Sequence, residues 1–413
     1  MTSAKPFSPF GFATREQWKT LFAAQLGWML DSMDVMFYAF ALTAIRTEFN
    51  LSGAEAGALA SVTLLTSAAG GVVFGIVADR FGRTKALMYS ILTYSVFTAL
   101  TATSSTLFEL ILWRSLVGFG LGGEWSAGSV LVSEVWTPEH RGKAVGFMQS
   151  GWAIGYIIAA VLAAAIMPHW GWRVLFAIGV LPAFLTFWIR RHVPESEQWK
   201  SGGMSHHGTG VKIREMLSKN FRRLTILASS ISTCVLFGYW GLFTWVPTFL
   251  ASPTARGGAG LSMVQSSTWI VPMQVGAFFG YLSFGFLADR FGRKPIFAAF
   301  LIGAAALVPF YGQMGSSPIL LMILGPFIGF FGHGYFSAFG AMLTELFPTR
   351  FRGIAQGFTY NIGRASSALA PFIIGAVADL YGIGSALAIT SAFFILGASL
   401  IYFIPETAGK SLE

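Results

Sequence analysis

Gly75–Leu87 reads GIVADRFGRTKAL, and Gly285–Phe297 reads GFLADRFGRKPIF. Each phrase carries an Asp-Arg pair, a glycine and a second arginine, and each lies between long apolar runs. A second phrase recurs at nearly the same interval: Glu134-x6-Arg141-Gly142-x3-Gly146 returns as Glu345-x6-Arg352-Gly353-x3-Gly357. Asp79 and Asp289 are 210 positions apart and Arg141 and Arg352 are 211 apart, so one inserted residue separates the registers. The chain is two related halves.

The surrounding composition sets the medium. Hydrophobic residues make up 54% of the chain and charged residues 11%, against about 25% charged in soluble domains. The apolar residues come in runs of about 20, the length a helix needs to cross the hydrocarbon core. The runs fall near 20–44, 53–78, 85–105, 107–132, 143–167, 171–190, 223–250, 263–288, 295–314, 317–343, 353–378 and 382–404. The expected fold is an all-α membrane protein with twelve transmembrane helices in two pseudo-symmetric six-helix bundles. The expected units are 1–191, a polar linker at 192–222, and 223–413. Doubled units of this kind build many transporters.

The net charge of +9 follows the membrane, not nucleic acid. With the N-terminus placed in the cytoplasm, Arg46, Arg173 and Arg256 lie at outer edges and Arg114 and Arg364 lie within spans. All the other lysines and arginines of the 27 fall on the cytoplasmic side, which predicts both termini inside. The expected location is the plasma membrane, the inner membrane of a bacterium. Cys234 is the single cysteine, so no intrachain disulfide is possible. His206 and His207 in the linker read as solvated residues, and no metal or cofactor is expected.

Asp79, Arg80, Gly82 and Arg83 are placed at the cytoplasmic end of the second span. Glycine permits the tight turn, and Arg83 is within reach of acids such as Glu134, near Arg141. The second half repeats the set as Asp289, Arg290, Gly292, Arg293, Glu345 and Arg352. The expectation is a charge latch that shuts the cytoplasmic side.

The phrase G-x-x-A-D-R-x-G-R-[TK], written twice in a twelve-span chain, resembles the signature of the major facilitator superfamily. Leu30-Asp31-Ser32-Met33-Asp34, Arg114-x3-Gly118-x-Gly120-x2-Gly123-Glu124 and Pro138-x2-Arg141-Gly142-Lys143 resemble the sialate and monocarboxylate proton symporters, with a looser likeness to aromatic-acid and sugar porters. The Trp170–Arg173 corner and Pro194-Glu195-Ser196 agree. The resemblance implies a secondary transporter working by alternating access, with the first and fourth spans as neighbours.

The repeat itself singles out candidates. Ionisable residues buried in one half only have no scaffold reason to be there, and they are costly in a membrane. Asp31 and Asp34 stand opposite Gly241 and Thr244. Arg114 and Glu124 stand opposite Gly325 and Tyr335, Arg364 opposite Ala153, and His333 opposite Gly122. Asp31 and Asp34, three apart, lie close on one helical face. Two carboxylates in one low-dielectric site cannot both ionise cheaply. They are expected to carry the coupling proton with Arg114 and Glu124, and Asp34, deeper along the span, is slightly preferred as the carrier. Arg364 suits a substrate carboxylate, which takes paired N–H bonds from a guanidinium; its other reading is a partner for Glu124 or an Asp. Tyr360 and Asn361 lie one turn away.

Further polar groups of the expected cavity are Gln149 and Trp152, Tyr239, Trp240 and Trp245, Gln274, and His333 and Tyr335. Pro247, Pro272, Pro326 and Pro371 are expected to kink second-half spans. The reading is proton-coupled symport of a small organic anion (a monocarboxylate, sialate or aromatic acid) by one chain in a lipid bilayer. The alternatives are a neutral sugar symporter and a drug or cation exporter of the same fold. No nucleophile triad, metal cluster or phosphate loop suggests an enzyme.

Overall fold

The computed structural model describes residues 13–136, 138–193, 195, 216–348 and 352–406. The side chains of Asp79, Glu134, Arg141, Asp289 and Arg352 lie outside the described set, as do His206 and His207. All regular structure among the described residues is helical. Among the described residues, eight helices are each long and apolar enough to cross a membrane.

The first four spans are single helices: Arg15–Glu48, Gly53–Phe81, Arg83–Thr101 and Leu107–Val135. Three begin with a capping box: Thr14 with Gln17, Ser52 with Glu55, and Thr106 with Glu109. In each, a side-chain oxygen takes an N–H that the helix cannot satisfy itself. Ser262 and Gln265 repeat the Ser52–Glu55 box in the other half. The fifth span turns into the sixth at Gly171, whose φ of 73° breaks the helix Pro138–Ile178.

The second half is more broken. The seventh span divides into Arg222–Phe243 and Val246–Ala251, and the tenth into Pro318–His333 and Phe336–Glu345. The eleventh divides into Arg352–Ser367 and Leu369–Tyr381. The breaks before Pro247 and Pro371 follow from the missing N–H and the ring's clash with the preceding turn. Pro272 and Pro326 instead lie within continuous helices.

Packing repeats between halves. The first span packs on the fifth as the seventh does on the eleventh, and the second on the fourth as the eighth does on the tenth. The halves meet along two seams, fifth span against eighth and second against eleventh. Between these seams lie the charged residues.

Candidate functional site

Asp31 and Asp34 are both buried on the first span, but they face different partners. Thr98 of the third span donates its hydroxyl to Asp34 Oδ2 at 2.7 Å. The positive charge acting on Asp34 is Arg114 of the fourth span, whose guanidinium carbon lies 4.8 Å from the centre of the Tyr38 ring. Arg114 is 1% exposed, and its Nε and Nη1 have no partner. Asp31 turns instead toward the seam. Its carboxyl lies near Glu124, and the charges close enough to act on it are Arg364, from the opposite half, and Asp34. Gly27, one turn before Asp31, makes room for this pair: a Cβ there would stand 2.3 Å from Glu124 Oε1.

Arg364 therefore faces Asp31, and its guanidinium carbon lies 5.3 Å from the ring centre of Tyr360, four residues earlier on the same helix. Residues four apart stack along a helix. Asn361, three residues before Arg364, is carried round to the second span. Its Nδ2 donates back to Gly357 O of its own helix at 2.9 Å, and its Oδ1 approaches Gly71 of the second span.

Two hollows adjoin these charges. One, about 560 Å³, is lined by Asp31, Tyr38, Ala60, Arg114, Thr244 and Arg364 among others. The second, about 440 Å³, lies nearer the end that carries Gly82 and Gly292; its wall includes Trp28, Gln149, Tyr239, Tyr281, Phe336 and Tyr360. Trp152, Trp240 and Arg364 line both. Arg364 thus stands between a compartment with a carboxylate and one walled by aromatic rings.

A hydrogen-bonded chain crosses the seam behind those rings. Trp152 Nε1 donates to the Tyr239 hydroxyl at 2.5 Å, and that hydroxyl meets His333 Nε2 at 3.3 Å. His333 Nδ1 meets Gly329 O at 3.1 Å. A carbonyl only accepts, so Nδ1 carries the hydrogen and Nε2 accepts from the tyrosine. His333 joins the site through Tyr239 and lines neither hollow. Gln274 is fully buried with both amide atoms unpartnered, also away from both linings. Trp245 spends its N–H on Pro371 O at 3.0 Å, and Tyr335 packs on Phe297 and Phe336.

At the end bearing the repeated phrases, Gly82 and Gly292 turn with φ of 112° and 93°, a region glycine enters without strain. Arg80 and Arg290 are exposed beside the rings of Phe81 and Phe291. Arg293 is ion-paired with Glu345, and Arg83 Nη1 donates to Ala78 O at 3.0 Å. The sequence reading missed the acids that cap these turns. Glu195 accepts from the Arg83 and Thr84 backbone N–H groups at 2.8 and 3.2 Å, and Glu406 from those of Arg293 and Lys294 at 3.3 and 3.1 Å. Their repeat, Val193-Pro194-Glu195 and Ile404-Pro405-Glu406, was the available signal.

The opposite end holds a third, shorter copy. Gly375–Gly382 reads GAVADLYG, against GIVADRFG and GFLADRFG. Its glycine turns like the others: φ and ψ are 83° and 152° at Gly382, 112° and 153° at Gly82, and 93° and 151° at Gly292. Asp379 Oδ2 accepts the backbone N–H of Gly53 at 2.7 Å and of Ala54 at 3.2 Å, and its Oδ1 meets Arg46 at 3.1 Å. These contacts join the halves.

Comparison with known proteins agrees with this architecture. Residues 25–283 and 253–413 match the sequence model described as Major Facilitator Superfamily. The chain is 32% identical to the cis,cis-muconate transport protein of Acinetobacter baylyi, covering 94% of this chain and 95% of that one. It is 30% identical to the sialic acid transporter NanX of Escherichia coli, covering 92% and 91%. The solved xylose transporter XylE of E. coli shares the fold with a TM-score of 0.77 at 19% identity, over 97% of this chain and 100% of that one.

Proposed function

Because the chain belongs to the Major Facilitator Superfamily, a family of membrane transporters and not of enzymes, we propose that it is a proton-coupled symporter of a small organic anion. The observation that carries this reading is the placement of Arg364. A buried guanidinium of one half lines both hollows and faces Asp31 of the other half, which is itself beside Glu124.

Two buried carboxyl groups this close repel when both are ionised, and a proton on one of them relieves that repulsion. With that proton present, Asp31 holds Arg364 weakly, and the guanidinium is available to a carboxylate substrate. When the proton leaves, Asp31 competes for Arg364 and the substrate is released. Differential affinity of the two protonation states for the anion is what couples the flows. Asp31 with Glu124 is the proposed proton site. Asp34, already bonded to Thr98, balances the charge of the nearby Arg114.

The excess of Lys and Arg at the end bearing Gly82 and Gly292 supports placing that end, and both termini, in the cytoplasm of a bacterial inner or other plasma membrane. Arg293–Glu345 and the capped turns would then serve the inner closure, and one chain would form the working unit. The relatives named for muconate and sialic acid support an organic-acid cargo. Proteoliposomes test the reading. Uptake of an organic acid should rise several-fold with an inward proton gradient and collapse with an uncoupler; uptake indifferent to both refutes symport.

A further inference from the structure

The two relatives carry unlike acids, one flat and conjugated, the other a sugar acid bearing many hydroxyls, so resemblance does not choose between them. The inner hollow does. Its buried polar atoms without partners, among the described residues, are the Nε1 atoms of Trp28 and Trp240, Nε of Arg364, and Oε1 of Gln149. All four side chains are at least nine-tenths buried. Three are donors and one is an acceptor. A carboxylate, which only accepts, meets that set well. A polyol must donate from every hydroxyl it buries, and of these four atoms only Gln149 Oε1 accepts. The rings of Trp28 and Trp152 lie 4.7 Å apart at 44°, and those of Trp152 and Trp240 6.0 Å apart at 83°. The remaining wall is aromatic except for Leu236 and Gly340, which favours stacking and edge contacts with another flat ring.

We propose that the inner hollow seats the flat, unsaturated body of a benzoate-like acid, its carboxylate held by Arg364 with the indole N–H groups of Trp28 and Trp240. This deepens the anion-symport reading and rests on it. Calorimetric titration of the purified protein with benzoate, cyclohexanecarboxylate, benzyl alcohol and N-acetylneuraminate tests it. Benzoate should bind about tenfold tighter than its saturated, puckered analogue, and the alcohol and the sugar acid much more weakly. Trp240→Phe keeps a ring and removes the N–H; it should weaken benzoate about fivefold. Tighter binding of cyclohexanecarboxylate or N-acetylneuraminate overturns the flat seat and leaves anion transport standing. Binding of benzyl alcohol with no binding of any acid overturns both. Unchanged benzoate affinity in Trp240→Phe removes the indole contact.

A separate observation concerns the third copy of the repeated phrase. Within the second half it occupies, at the end of the eleventh span, the place that Gly285–Gly292 occupies at the end of the eighth, with the membrane direction reversed, as inverted repeats require. Its aspartate does not cap its own hairpin. It caps the second span of the other half and pairs with Arg46 of the first. A carboxylate on a helix N-terminus gains from both the free N–H groups and the dipole. Gly53 lets the acid approach, since a Cβ there would lie 2.6 Å from Asp379 Oδ1.

We infer that Asp379 is an outer latch, closed when the outer mouth is shut and broken when it opens. The test uses Ala60→Cys, in the wall of the larger hollow, in a Cys234→Ser background, labelled from outside with a membrane-impermeant maleimide. Asp379→Asn should label about tenfold faster and Arg46→Gln about threefold faster. A parental rate in folded Asp379→Asn overturns the latch. Should that variant fail to fold, a parental rate in Arg46→Gln does so.

Discussion

The two halves share a scaffold and differ in their buried charge. Where the first half places Asp31, Asp34, Arg114 and Glu124, the second places Gly241, Thr244, Gly325 and Tyr335; where the second places Arg364, the first has Ala153. Packing partners, turn glycines and capping acids all repeat. What repeats is what any two-bundle protein needs to hold and hinge its helices. Of what does not repeat, Asp31 and Glu124 of one half and Arg364 of the other draw near at the seam, while Asp34 and Arg114 stay within the first half. Moving the halves apart therefore changes the electrostatics of the site, and a charged or protonated ligand gains purchase on the motion.

Removing an unrepeated charge should do most to this contrast. Asp31→Asn should lower gradient-driven uptake more than a hundredfold while anion exchange across the membrane survives, because a neutral amide imitates the protonated acid permanently; loss of exchange together with uptake would place Asp31 in cargo binding instead. Arg364→Lys keeps the charge and loses the planar fork, so benzoate affinity should fall about tenfold to a hundredfold at an unchanged melting temperature. Gly27→Ala adds no charge but drives a methyl into Glu124. It should reduce proton-driven uptake about tenfold and shift its pH profile, and a rate loss without a shift would make the contact structural only. The repeated residues mark the small end. Glu195→Gln and Glu406→Gln should each lower the melting temperature by about 1–3 °C with transport within about twofold, since a charged cap is worth about 0.3–1 kcal/mol at an exposed helix end.

Much of this was legible in the chain because symmetry supplies its own control. Apolar run lengths set the spans, and the absence of a twin singled out Asp31, Glu124 and Arg364. Finer placement depended on rotation about helix axes. Asn361 and Tyr360 look equally near Arg364 in the sequence, yet only the residue four back stacks beneath it, and the other faces the second span. The division between Asp31 and Asp34 was equally hidden, because Thr98 lies on the third span, beyond the reach of any local pattern. Asp379 escaped notice because the reading of repeats keyed on arginines, and its copy has none.

That missing pair of arginines has a meaning of its own. A loop destined for the far side must be passed through the bilayer during synthesis, and guanidinium groups resist that passage. With the orientation proposed here, the eleventh-to-twelfth hairpin could keep the bend and the acid of the shared pattern only by shedding its cations. The aspartate kept its place, and its cation is Arg46, one of the few arginines at that end, supplied by another hairpin. Restoring the lost residues at Leu380 and Ile383 would thus act first on biogenesis, turning a sequence of correct shape into one that the insertion machinery leaves on the wrong side.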